Sequence, residues 1–241
     1  MIRVADDQPT FWDRVAAGRW EPGTLAVIDR HVDSRTTFLD LGAWVGPTAL
    51  YAAGLARRVV AVEADPAALD QLGRNLEANP ALAPRIEVVP RAIHGSEGDV
   101  MLGARRKPGD SMSSVLLTGS ERTWRAATIT PTQLADRLAP DERLVIKMDL
   151  EGAEYALLPV MDPLLERAAA LLISFHPKIL AAVASSGDAA RQTRAALAAL
   201  SRFRAHPITA ADVGTRSLAP WFVRWRLRSE LPGEDWLFTR S

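Results

Sequence analysis

The stretch FLDLGAWVGPTALYAAG, Phe38 to Gly54, passes from an apolar run through two glycines into a helical pattern. That is the outline of a strand-to-helix turn able to hold a nucleotide. A dinucleotide turn is spelled G-x-G-x-x-G, where the second glycine lets the backbone approach a pyrophosphate and the third lets helix pack on strand. Counted from Gly42, those two places carry Trp44 and Pro47. A tryptophan side chain stands badly against a pyrophosphate, and Pro47 removes an amide donor that a helix N-terminus would offer an anion. The phosphate reading weakens accordingly.

Working outward, short apolar runs alternate with helical stretches, the pattern of a parallel sheet covered by helices on both faces. Strands are expected at residues 37–41, 58–63, 85–89, 144–150 and 170–175, and helices at 47–55, 66–77, 131–138, 152–160 and 189–202. Pro47 and Pro66 suit the first helical turn, where a preset φ helps and a missing donor costs nothing. The glycine-rich, charged segment HGSEGDVMLGARRKPGD, His94 to Asp110, reads as a hairpin and loop that interrupts the alternation. Residues 235–239 make a final strand paired with 203–208. The fold class expected is therefore α/β, a mostly parallel doubly wound sheet with an antiparallel strand near the C-terminus.

With 48% hydrophobic and 24% charged residues among 241, the chain has ordinary globular composition. One domain is expected, with residues 1–36 as a helical cap and a variable insert around 209–232. Twenty-nine basic residues balance 29 acidic ones, so no global field argues for nucleic acid or an anionic membrane. The absence of cysteine removes disulfides, thiolate nucleophiles and cysteine-ligated metals. No apolar run approaches the roughly 20 residues that span a bilayer, and the acidic start MIRVADDQPTFWDR is unlike a secretory signal. A cytoplasmic location is the expectation.

Asp40 ends the first strand and Glu63 the second, so both carboxylates belong to the carboxyl edge of the sheet, where such folds bind ligands. Glu63 suits the two hydroxyls of a ribose, and Asp40 an ammonium group. An adenosyl ligand carrying an amino acid instead of phosphates matches the pair, and S-adenosylmethionine is the common cofactor of that description. Two glycines and a following acid also occur in α/β proteins that hold no cofactor. A second cluster, LVIKMDLEGAEY from Leu144 to Tyr155, puts Asp149 at the end of the strand beside the first, with Glu151 and Glu154 close behind. Converging carboxylates are costly without a cation or proton traffic. Lys147, two residues before Asp149, shares its face of the strand. The plainer alternative is a Lys147–Asp149 pair with Glu151 and Glu154 favouring a helix N-terminus.

KMDLEGAE, Lys147 to Glu154, resembles the K-[IM]-D-[VL]-E-G-[AY]-E signature of the FkbM family of S-adenosylmethionine-dependent methyltransferases. DLGAWVG, Asp40 to Gly46, is similar to that family's D-x-G-A-x-x-G turn. VEADPAALDQLGRNLEAN, VPRAIHGSEGDVML and ISFHP resemble its second strand and helix, its third strand and hairpin, and its fifth-strand end. The likeness runs from Trp20 to Pro177; it departs at Trp44, where many members carry asparagine, and in the C-terminal third. It implies a Rossmann-like class I methyltransferase fold with S-adenosylmethionine as cofactor. It further implies that Asp40, Gly42, Ala43 and Gly46 shape the methionine side, that Glu63 with its neighbour Ala64 holds the ribose, and that Arg91 and Ala92 lie near the adenine. Asp149 is counted among the cofactor-binding residues as well as the catalytic ones. Methylation of a hydroxyl on a sugar, glycan or natural product is likewise what the resemblance implies.

Such a transfer needs an acceptor oxygen aligned with the methyl group and relieved of its proton. His176, with an ordinary pKa of about 6.5, is the expected base, with Asp149 and Glu151 orienting it or acting as bases themselves. The same three side chains suit magnesium or manganese, but no further motif completes such a set, so metal-independent transfer is expected and no metal ligand is assigned. FWDRVAAGRWEPGT, Phe11 to Thr24, reads as one helix whose end brings Trp20, Glu21 and Thr24 to the pocket. WFVRWRLR, Trp221 to Arg228, mixes tryptophan with arginine and could stack sugars, aromatic acceptors or bases, or form a homodimer contact. The competing functions are a nucleic-acid methyltransferase, a non-catalytic adenosyl-binding module and a nicotinamide-dependent reductase.

Overall fold

A computed structural model describes residues 2–4, 9–104, 109, 113–117, 119, 122–208 and 235–240. The Trp221–Arg228 stretch and the expected insert around 209–232 lie outside them.

Two helices open the chain, α1 (Pro9–Ala16) and α2 (Pro22–His31), followed by β1 (Thr36–Leu41), α3 (Pro47–Ala53), β2 (Arg58–Glu63), α4 (Pro66–Glu77) and β3 (Ile86–Pro90). Short strands come next: β4 (Ala92–Ile93), β5 (Asp99–Ala104), β6 (Ser113–Ser114) and β7 (Thr123–Ile129). The alternation then resumes with α5 (Pro131–Ala135), β8 (Arg143–Met148), α6 (Glu154–Leu157), α7 (Asp162–Leu165), β9 (Ala168–Ser174), α8 (Pro177–Val183), α9 (Ser186–Ala199), β10 (Phe203–Pro207) and β11 (Asp235–Arg240).

The main sheet runs β10-β11-β9-β8-β1-β2-β3. Its core from β9 to β3 is parallel, while β11 lies antiparallel between β9 and β10. Alternation along each strand feeds two apolar layers. Leu39, Leu41, Ile146 and Leu171 pack with Leu134, Tyr155, Leu164 and Ala196 from α5, α6, α7 and α9. On the other face Phe38, Val59, Val145 and Leu172 pack with Ile28, Leu50 and Leu72 from α2, α3 and α4. The sheet is doubly wound, and its centre, β8-β1-β2, is buried on both faces.

Several boundaries move for identifiable reasons. The single helix expected from Phe11 to Thr24 is two helices, because Gly18 and Glu21 both take positive φ, 63° and 37°. The helix expected over 152–160 is α6 followed by a 3-10 turn at Leu158–Val160, where Pro159 lacks the amide that would continue it. The strand expected to reach Leu150 stops at Met148, since the chain turns at Glu151 and Gly152, with φ of 50° and 98°. Helices α7 and α8 were not expected from the sequence pattern. Of the segment expected to form a hairpin and loop, residues 99–104 form β5, whose antiparallel partners, β6 and β7, lie beyond Asp110.

Candidate functional site

Adjacent strands put their next-to-last residues side by side. Asp40 on β1 is in register with Lys147 on β8, both on the α3 face. Lys147 Nζ lies 3.7 Å from Asp40 Oδ1 and 3.4 Å from Asp149 Oδ2, so one buried ammonium bridges two strand ends. Burial alone would lower the lysine's pKa, but the charges of Asp149, Asp40 and Glu21 outweigh it and raise it. Lys147 stays cationic. Asp40 is fully buried, accepts a 2.6 Å hydrogen bond from Thr48 Oγ1, and has its pKa raised chiefly by desolvation.

Beyond these strand ends opens a cavity of about 400 Å³, lined among others by Trp20, Glu21, Trp44, Glu63, Asp149 and His176. Of the residues singled out from sequence, Gly42, Ala43, Glu63, Ala64, Arg91, Ala92, Asp149, Glu151 and His176 all line it. Asp40 and Gly46 are not among the lining residues. Asp40 sits beneath Thr48 and Lys147, and Gly46 packs on α4, where an added Cβ would come 2.4 Å from Leu72 Cδ1. Gly42 is needed in the same steric sense: its φ is 84°, and a Cβ there would lie 2.0 Å from the Asp149 carbonyl oxygen.

At one end of the cavity the Glu63 carboxylate is held by three backbone amides: Trp44 at 2.7 Å on Oε2, and Ala64 and Asp65 at 2.7 Å on Oε1. Burial raises its pKa against those bonds. The adjoining Asp65 caps α4 through the amides of Ala67 and Ala68. Its other oxygen accepts from Gly109 N at 2.6 Å and Ser113 Oγ at 2.9 Å. Trp44 Nε1 donates to the Gly109 carbonyl at 2.9 Å. The loop beyond β5 is thereby tied to the opening turn.

At the other end lies the KMDLEGAE turn. Glu154, fully buried, accepts from Leu150 N at 2.7 Å, Gly152 N at 3.0 Å and His176 Nδ1 at 3.0 Å. That bond fixes the imidazole, leaving Nε2 3.7 Å from both Asp149 Oδ1 and Glu151 Oε2. Burial pushes the His176 pKa down, but the Glu154 hydrogen bond and the charges of Glu154, Asp149 and Glu151 carry it up to about 9. The expectation of an imidazole with an ordinary pKa is corrected here: at neutral pH His176 is an imidazolium. Asp149, Glu151 and His176 each offer a ligand atom, all within 4.8 Å of one another, so the trio has the spacing to hold a cation.

The N-terminal cap closes a third side. Phe11 packs edge-on against Trp44, Trp12 and Trp20, with ring centroids 4.6, 4.9 and 5.4 Å apart. Trp20 and Glu21 line the cavity, while Thr24 is buried and is not among its lining residues. Among the described residues, the three non-glycine positions with positive φ are Glu21, Trp44 and Glu151, and all three line this cavity. Strained backbone gathers where function requires it.

No protein-family model matches the chain, and a search of curated proteins returns no match. Among solved structures the chain is similar to the methyltransferase FkbM from Methylobacillus flagellatus KT, at 17% identity and a TM-score of 0.52, over 98% of this chain and 56% of that one. The chain thus spans little more than half the length of that protein. An rRNA methylase from Streptococcus thermophilus (13% identity, 98% of each chain, TM-score 0.48) and an O-methyltransferase from Bacillus cereus (13%, 100% and 84%, 0.48) also match. Sheet order, the antiparallel β11 and the FkbM likeness together establish the fold: α/β, Rossmann-like, of the class I methyltransferase type.

Proposed function

We propose that the protein is an S-adenosylmethionine-dependent methyltransferase that methylates a hydroxyl oxygen of a sugar, glycan or natural-product small molecule. The observation that carries the cofactor reading is the charge of the cavity. Glu21, Glu63, Asp149, Glu151 and Asp235 line it, with Glu154 beneath, against the bases Lys147, His176, Arg14 and Arg91, so acids outnumber bases. Such a site suits a cationic ligand, and the amides of Gly42, Ala43, Trp44 and Gly46 in the opening turn are already bonded within the protein, to Val62 O, Glu63 and Ala43 O, so they offer a phosphate no cradle. Bound there, S-adenosylmethionine supplies a methyl group on a positively charged sulfur.

The chain's own residues divide the remaining work. Glu63, held rigid by three amides, presents its carboxylate to the ribose hydroxyls, and Arg91 and Ala92 border the adenine side. Asp149, at the other end, takes the acceptor hydroxyl's proton as the new oxygen–carbon bond forms. A carboxylate suffices, because an oxygen gaining a methyl group becomes strongly acidic. His176, held by Glu154, stays charged and fixes the carboxylates of Asp149 and Glu151. Metal-independent transfer fits this reading, since a divalent ion at Asp149, Glu151 and His176 would have to displace the imidazolium proton and compete with Lys147 for Asp149.

Transfer of a labelled methyl group to a panel of hydroxylated sugars and polyketide-type acceptors tests this. Asp149→Asn should lower turnover by about 100-fold or more, the range for loss of a general base, while S-adenosylhomocysteine affinity stays within a few-fold. Labelling of RNA or DNA, with none of the small acceptors modified, would replace this reading with nucleic-acid methylation.

A further inference from the structure

Asp40, the carboxylate expected to hold an ammonium group, already has its cation in Lys147 and is not among the cavity's lining residues. A carboxyl with one unsatisfied oxygen stands in the N-terminal cap. Glu21 lines the cavity and its Oε2 is buried with no hydrogen-bond partner. Its backbone is left-handed, at φ 37° and ψ 54°, directly before Pro22. A residue preceding proline is already excluded from most helical conformations, so holding glutamate there costs energy that packing must offset. Thr24 hydrogen-bonds the Glu21 carboxyl, and the charged groups facing it are Lys147 and Asp149 at the end of β8 and Asp235 at the start of β11. Lys147 is divided between Asp40 and Asp149. One further cation would complete the set.

Resting on the methyltransferase reading, we propose that Glu21 anchors the α-ammonium group of the cofactor's methionine moiety, so that the N-terminal cap forms the amino-acid subsite and sets where the sulfur stands. The placement agrees with Glu63 taking the ribose at the opposite end. Burial pushes the pKa of Glu21 up to about 8, with Lys147 opposing the rise and Asp149 and Asp235 adding to it. A carboxyl in that state ionises when a cation arrives beside it.

Calorimetric titration with two probes tests the assignment: S-adenosylhomocysteine, which carries the ammonium, and 5′-methylthioadenosine, which keeps the adenosine and thioether but lacks the amino acid. Glu21→Gln should weaken S-adenosylhomocysteine at least tenfold and leave 5′-methylthioadenosine unchanged. Wild-type affinity for S-adenosylhomocysteine should rise from pH 6 to pH 8 as Glu21 gives up its proton, a rise the variant lacks. His176, which titrates near pH 9, is present in both proteins, so the difference between them isolates Glu21. The unliganded variant should melt no lower than wild type at pH 8, since it removes a buried acid; a residue that served only the fold would melt lower. Equal weakening of both probes, or an unchanged S-adenosylhomocysteine affinity, overturns the proposal while leaving the cofactor reading intact. A wild type that binds neither probe overturns both.

Discussion

At the residue scale, what distinguishes the site is the sharing of too few cations among many carboxylates. His176 shows the consequence. Its pKa moves from an ordinary 6.5 to about 9 because folding places Glu154, Asp149 and Glu151 around it. A histidine whose pKa is raised by folding lends its full stability below the unfolded value and loses it as pH climbs through the folded one. Wild type should therefore exceed His176→Gln in stability below pH 6.5, by at most on the order of 3 kcal/mol, with the gap closing by about pH 9. Melting temperatures of the two proteins across that range check it, and a gap independent of pH would contradict it. None of this could be read from ISFHP, because the groups that charge His176 come from β8 and α6. Asp40 teaches the same lesson in reverse. Its position at a strand end was legible, whereas its depth beneath Thr48 and Lys147 depends on α3 packing over it.

Elements were legible in proportion to how locally their ends are written. Both bounds of β2 and α4 follow from the sequence, because Asp65 caps the helix and Pro66 takes its first turn. Ends set by tertiary turns were not, as at Glu151, where β8 gives way two residues early. Asp65 also ties the loop beyond β5 to the site through Gly109 and Ser113. Asp65→Ala removes the cap and both loop bonds, and should cost about 1–3 kcal/mol. Amide exchange should rise first at residues 109 and 113–117. Exchange that rises only along α4 would show that the loop is held by other contacts. Trp44 belongs to the same device: its amide holds Glu63, its indole holds Gly109, and its ring meets Phe11. The left-handed φ of 48° at this position is one asparagine adopts readily, which accounts physically for asparagine in similar turns.

At the scale of the whole molecule, the doubly wound sheet brings residues far apart in the chain to one edge. Glu21, Glu63, Asp149, His176 and Asp235 come from five separate segments and line one cavity. Three of these segments, VEADP, KMDLEGAE and ISFHP, carry residues that sequence reading finds. Asp235 carries none, for a single acid at the start of a strand has no period or spacing to mark it, and Glu21 is legible near the pocket through the aromatic stretch around it and not through a pattern of its own. Among the described residues no helix is long and apolar enough to cross a membrane. The central claim is that this acid-lined cavity takes a cationic adenosyl cofactor in place of a pyrophosphate one, and thermal unfolding of the wild-type protein with S-adenosylhomocysteine or NADH tests it most directly. At 100 times its dissociation constant a specific ligand adds about 2.7 kcal/mol, roughly 5–10 °C for a chain of this size. S-adenosylhomocysteine should raise the melting temperature by that amount and NADH should leave it unchanged; stabilisation by NADH without S-adenosylhomocysteine would contradict the account.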